Sequence, residues 1–195
     1  MTVYCATGNP GKLREFRMAA EQGGIQVETV PGLASMPPCE ETGATFEANA
    51  ILKAEYYGRH APGRLFADDS GLEVDALGGA PGVYSARFAG PDATDGGNNQ
   101  LLLERMRGMR DRSARFVCVI ALADGGRPIE TFRGEVEGQI LEAPRGPNGF
   151  GYDPLFYYPP FGCSFGEAAP ERKLTVSHRG AALRVLFRQL SVGRV

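Results

Sequence analysis

Two adjacent acids, Asp68 and Asp69, stand in the stretch FADDSGLEVDALGGAPGVYSARF at residues 66–88, between an apolar run and a glycine-rich turn. Phe66 and Ala67 read as the end of a buried strand, where charged side chains are tolerated only when something compensates them. A divalent cation is the usual compensation. Hard cations such as Mg²⁺ take carboxylate oxygens and keep positions open for water and substrate phosphates, so the pair suggests a metal-assisted phosphate site. Successive strand side chains point to opposite faces, and both acids address one metal only if the chain bends. Ser70 and Gly71 would supply that bend, with residues 72–76 as a returning strand. Asp, Ser and Gly are equally the favoured residues of a plain turn, and the acids alone leave the two readings even.

Cations to face such acids lie on two helices. Residues 2–6 read as a short strand that stops at Thr7-Gly8-Asn9-Pro10-Gly11, after which Leu13, Phe16 and Ala20 recur at helical spacing. Strand, tight loop and helix put unpaired amides and the positive end of a helix dipole at one place, which suits an anion, and Lys12 adds a full charge. The loop is not a Walker A motif: Gly8 is three residues from Gly11, and Leu13 rather than Ser or Thr follows Lys12. A second helix is predicted over residues 45–57 with Thr45 as N-cap. Its inward stripe is Phe46, Ala50, Ala54 and Tyr57, with Asn49 and Lys53 on the edge of that stripe. Beside phosphates Lys53 would bind them; elsewhere it would simply snorkel to solvent.

The rest of the chain reads as the scaffold. Residues 23–44 form a connecting loop with a weak strand at 25–30, and residues 92–110 a helix behind the capping signal Asp92-Ala93-Thr94-Asp95. The unbroken apolar run at 116–123 is the mark of a central strand buried on both faces. Residues 129–140 alternate, and would pair with that run across a glycine turn at 124–128. Aromatics set among glycines at 144–158 would make a platform for a flat ring, with Asp153 accepting from ring N–H groups. Ser177 is expected as the N-cap of a closing helix whose Leu183, Leu186, Phe187 and Leu190 face inward.

Length and composition agree with one domain with a cleft: 195 residues, 43% hydrophobic and 23% charged. With 21 basic and 23 acidic residues, the net charge of -2 offers no footprint for a nucleic-acid polymer, so a phosphate partner is expected to be small. Cys5, Cys39, Cys118 and Cys163 are widely spaced and read as reduced thiols. With no leader-like or membrane-length apolar segment, a cytoplasmic location with no membrane partner is expected.

Taken in order, ATGNPGK (6–12), EETGATFEANAILKA (40–54), ADDSGLEVDALGGAPGVYSAR (67–87), FGYDP (150–154) and KLTVSHRG (173–180) resemble the non-canonical purine nucleoside triphosphate pyrophosphatase family. The likeness spans nearly the whole chain. It implies an α/β fold in which a single domain, residues 1–195, carries a long mixed sheet and two lobes flanking a nucleotide-binding cleft, and it implies a homodimer. It also implies hydrolysis of ITP, dITP or XTP between the α and β phosphates, with Mg²⁺ as cofactor. On that resemblance Thr7, Gly8, Asn9, Pro10, Gly11 and Lys12 cradle the triphosphate, with Lys53 neutralising it. Glu40 and Asp69 hold the metal, Asp69 takes the proton of the attacking water, Asp68 assists, and Ser70 touches the substrate. Phe150 stacks on the purine while Gly151, Tyr152 and Asp153 shape its pocket, and Lys173, His178 and Arg179 meet the base edge or a phosphate. One position departs from the pattern: the family's helix motif T-F-x-E-N-A reads Thr45-Phe46-Glu47-Ala48-Asn49-Ala50 here. Glu47 lies about 100° around the helix and does not replace the missing acid. A nucleotide-sensing module, or a pyrophosphatase for pyrimidine nucleotides, is the competing expectation.

Overall fold

The computed structural model describes residues 1–21 and 23–192. Strand β1 (Thr2–Cys5) leads into helix α1 (Pro10–Glu21), and β2 (Gln26–Thr29) follows. Helix α2 (Phe46–Gly58) precedes β3 (Leu65–Val74), after which come α3 (Asp95–Arg105), β4 (Ser113–Asp124) and β5 (Arg127–Ile140). The chain closes with β6 (Phe156–Tyr158), β7 (Cys163–Ser164), α4 (Pro170–Val176) and α5 (His178–Val192). The strands form one open sheet in the order β2-β1-β3-β4-β5-β6-β7. It is mixed, as expected: β2 and β3 run parallel to β1, with Val3 opposite Val27 and Cys5 opposite Phe66, whereas β5, β6 and β7 are antiparallel neighbours. Among the described residues no helix is long and apolar enough to cross a membrane.

The local signals placed most elements. Thr45 caps α2 by accepting the Ala48 amide at 3.1 Å, and Thr94 caps α3 through the Gly97 amide at 3.1 Å. The apolar run of β4 is buried from residue 116 to residue 123, as its place between β3 and β5 demands. Gly125 and Gly126, with φ of 55° and 78°, make the two-residue turn into β5, a conformation that strongly favours glycine.

One expectation is overturned. Residues 72–76 are not a returning strand, and no bend occurs at Ser70 and Gly71: β3 runs unbroken from Leu65 to Val74 and ends in a short 3₁₀ turn, Asp75–Leu77. Turn propensity yields to position here, because β3 lies between β1 and β4 and its backbone is engaged on both sides.

The chain divides into two compact units, one of Met1–Asp69, Cys118–Gly134 and the segment from His178, the other of Ser70–Val117 and Glu135–Ser177. In the first, Phe16 and Ala20 of α1 and Leu183, Leu186 and Phe187 of α5 pack on Val3, Phe66, Cys118 and Ile120. In the second, Leu72, Leu102, Phe116, Tyr152, Phe156 and Phe165 form a separate core. All four cysteines are free, and burial pushes the Cys118 thiol up to about 12, as suits a small core residue.

Within the first unit Gly134 of β5 lets α5 lie directly on the sheet, since a Cβ there would fall on the His178 carbonyl oxygen and the Ala182 amide. Gly134→Ala is therefore expected to destabilise by about 3 kcal/mol, read from urea unfolding, because the obstruction is backbone rather than a movable side chain. An unchanged midpoint would contradict this packing.

Candidate active site

Because β3 is straight, Asp68 and Asp69 point to opposite faces of the sheet, and each is met by cations of its own. Asp68 shares its face with Phe66 and is almost wholly buried. Lys12, from the first turn of α1, reaches its two oxygens at 3.1 and 3.0 Å. The Arg179 guanidinium, at the start of α5, lies 3.4 Å from Asp68 Oδ2 and 2.6 Å from Glu15 Oε2. Burial alone would push the Asp68 carboxyl up, but Lys12, Arg179 and Lys53 outweigh it and hold it well below the usual carboxylate range.

Asp69 is organised from α2. Lys53 Nζ donates to its Oδ1 at 2.9 Å, and Asn49 Nδ2 donates to its Oδ2 at 3.2 Å. Asn49 also accepts the Gly43 amide at 2.8 Å, which ties the loop before α2 to the same carboxylate. Burial pushes the Asp69 carboxyl up, with Lys53 opposing and the charge of Glu41 adding to the rise. Lys53 itself pays a desolvation penalty, yet Asp69, Asp68 and Glu41 outweigh it and keep the ammonium charged. The two carboxyls are thus driven apart, one firmly ionised and one more basic.

The acid of the 40–41 pair that stands beside Lys53 is Glu41, at 3.4 Å, while Glu40 is exposed. Glu47 is engaged elsewhere, its carboxylate accepting from Thr131 Oγ1 at 2.7 Å. Among the described residues no group of three or more His, Cys, Asp or Glu is gathered as a metal site. Mg²⁺ does not need one, since it ordinarily takes one or two protein carboxylates and completes its shell with water and substrate phosphate. Asp69 and Glu41, hard oxygen donors meeting at one lysine, fit that requirement.

At the head of α1 the expectation of unpaired amides needs correction. Asn9 is the N-cap: its Oδ1 accepts the Gly11 and Lys12 amides at 2.8 and 3.1 Å, and its own amide donates to Thr7 Oγ1 at 3.1 Å. Pro10 has no N–H to offer. Gly8, Asn9 and Pro10 remain exposed and Lys12 is part-buried, which leaves the Lys12 charge and the helix dipole as the positive features of this loop.

In the second unit, Ser70 is half-buried on β3 and Phe150 is half-buried in its loop. Lys173 lies 4.9 Å from the Phe150 ring centroid and donates to Asp153 Oδ2 at 2.6 Å. Asp153 is nearly inaccessible and accepts the Phe150 amide at 2.9 Å, so it shapes the loop and does not present an open acceptor. Tyr152 is a core residue whose hydroxyl donates to the Ser85 carbonyl at 2.8 Å. Back in the first unit, His178 and Arg179 are buried, and the Arg179 guanidinium pairs with Glu15 and Asp68.

Two participants escaped sequence reasoning. Glu15 lies three residues after Lys12 on one face of α1, and an acid one turn behind that lysine was the available signal. Nothing in EET distinguished Glu41 from Glu40. Because Asp68 is held down in the folded state, its pairing stabilises fully above the ordinary carboxylate pKa and is lost as pH falls through the lower folded value. Asp68→Asn should therefore lie well below wild type in urea midpoint at pH 7, with the gap closing below about pH 4. A gap of constant size down to pH 2.5 would contradict the ion pairing.

Comparison with known proteins places this geometry. The profile of the Ham1 family matches residues 3–189. A dITP/XTP pyrophosphatase of Acidobacterium capsulatum is 52% identical over 199 residues, covering 97% of this chain and 98% of the relative. One from Thermus thermophilus is 53% identical over 189 residues, covering 96% and 90%. The structure of the Staphylococcus aureus Ham1 protein superposes with a TM-score of 0.87 at 39% identity, covering all of both chains. Family profile, near-complete relatives and fold agree, and the chain belongs to the Ham1 family.

Proposed function

We propose that this chain is a Mg²⁺-dependent nucleoside triphosphate pyrophosphatase that hydrolyses dITP, ITP and XTP between the α and β phosphates. It would release a nucleoside monophosphate and pyrophosphate and so cleanse the nucleotide pool. The observation that carries the reading is the placing of Lys12 and Lys53 on consecutive carboxylates of β3, just past the point where β1 ends. The last rung between these strands is the Ala6 amide on the Phe66 carbonyl, at 3.2 Å, so Asp68 and Asp69 lie beyond the crest of β1. A polyanion laid over that crest would draw on Lys12 from one face and Lys53 from the other. Relatives bearing the name dITP/XTP pyrophosphatase support the substrate class.

Water attacking a polyanionic phosphate is repelled, so the site must neutralise the chain, orient the water and stabilise the leaving group. Asp69 would accept the proton as the water oxygen bonds to the α phosphorus. The bond from that phosphorus to the bridging oxygen breaks, and pyrophosphate departs with its charge met by Lys12 and Lys53. Mg²⁺, held by Asp69 with Glu41, would polarise the phosphoryl oxygens and neutralise the departing charge. Asp68 keeps Lys12 in place, and Arg179 serves through Asp68. The half-buried ring of Phe150 is the surface on which the purine would stack. The whole of residues 1–195 would act as this one domain. The resemblance supports a homodimer, and four free thiols suit the cytoplasm.

Purified protein incubated with Mg²⁺ and ITP, XTP, dITP, GTP, ATP or dTTP should yield pyrophosphate and monophosphate from the first three, and chelation should stop it. Orthophosphate release, or nucleotide binding without product, would overturn the assignment. Asp69→Asn should lower turnover about a hundredfold or more while the protein stays folded; near-normal activity would remove Asp69 from its role.

A further inference from the structure

The loop that carries Phe150 is held from α3, a helix with no assigned part in the reaction. Asp95, the first residue of α3, accepts the Gly151 amide on Oδ2 at 2.7 Å. One turn later Asn99, buried, donates from Nδ2 to the Gly151 carbonyl at 2.9 Å. Both peptide groups of a single glycine are therefore gripped by side chains four residues apart on one helix face. Gly151 has φ of 60°, with nothing within 4 Å of the place a Cβ would take, so the glycine answers the twist of the chain and not lack of room. The other side of Phe150 is fixed by Asp153, which accepts its amide at 2.9 Å. The helix is itself anchored: the neighbouring Asn98 accepts the Ala89 amide at 2.8 Å and donates to the Ala86 carbonyl at 3.1 Å.

The geometry points to Asp95 and Asn99 as positioning residues that set the Phe150 ring for the purine, acting through the Gly151 backbone without touching the substrate. The inference rests on the reading of Phe150 as the base-stacking residue. Ring position governs how well the base is bound, while the bond-breaking chemistry is assigned to Asp69, so loss of the grip should appear in KM and leave kcat alone. A purely structural role would instead lower the folded fraction without changing the KM of what remains folded.

The test compares wild type, Asp95→Ala, Asp95→Asn and Asp92→Ala in steady-state hydrolysis of ITP and GTP, with thermal unfolding of each. Asp95→Ala is expected to raise KM for ITP about tenfold, the loss of one charge-assisted hydrogen bond, with kcat within about twofold. Asp95→Asn keeps an acceptor oxygen and should recover most of the affinity. Asp92→Ala removes the same charge from an exposed position nearby and should match wild type. Unchanged KM in Asp95→Ala, an Asp95→Asn variant no better than it, or an equal rise in Asp92→Ala would overturn the inference. A wild type that releases no pyrophosphate from any purine triphosphate would instead overturn the reading of the site, and the inference with it.

Discussion

A β-strand sends consecutive side chains to opposite faces, and β3 carries two carboxylates in a row at nearly buried positions. Neither charge is sustainable without a partner, so each face of the sheet has to bring its own cation. On one face α1 and α5 pack together and deliver Lys12 and Arg179 to Asp68. On the other α2 delivers Lys53 to Asp69 and, through Asn49, fastens the loop that ends at Gly43 and carries Glu41. The layering of the first unit, helices on both faces of the sheet, is thus the arrangement its two adjacent acids require.

Both acids are of one kind and lie one residue apart, yet their environments separate them. Lys12 and Arg179 overcome the desolvation of Asp68 and keep it ionised, whereas burial prevails at Asp69 and leaves it the stronger base. Carboxylates pushed in opposite directions by their surroundings are a recurring basis for dividing structural and proton-accepting work. Arg179 gives the first of these roles its permanence. Fully buried between Glu15 and Asp68, it forms a network whose members are costly to remove singly, about 3–5 kcal/mol for an unpaired buried charge. Lys12 therefore pairs with a carboxylate that is itself fixed in place.

What the sequence made legible was local. Thr45 declared the start of α2, the unbroken run of β4 declared a central strand, and alternation along β5 declared its two faces, because each depends only on near neighbours. The meeting of Lys12 and Lys53 with Asp68 and Asp69 was legible too, since acids beside an apolar strand run are conspicuous and call for cations. Hidden were the consequences of pairing at a distance. Ser70 and Gly71 look like a bend until β1 and β4 are placed beside them. Arg179 looks like an unpaired cation until Glu15, 164 residues away in sequence, is seen to hold it. Asp153 looks like an open acceptor until Lys173 occupies it. In each case a residue with a free functional group in sequence is already engaged in the fold. The Asn9 cap is different: Asn before Pro at a helix start announces itself, and outweighs the idea of a loop of empty amides.

The division of the two acids between two faces is most directly tested by double-mutant cycles in urea unfolding at pH 7, using Lys12→Met, Lys53→Met, Asp68→Asn and Asp69→Asn. The pairs Lys12 with Asp68 and Lys53 with Asp69 should each show a coupling energy at least about 1 kcal/mol greater than the crossed pairs Lys12 with Asp69 and Lys53 with Asp68. Crossed couplings as large as the direct ones would mean that the four charges share a single face, and would contradict the account.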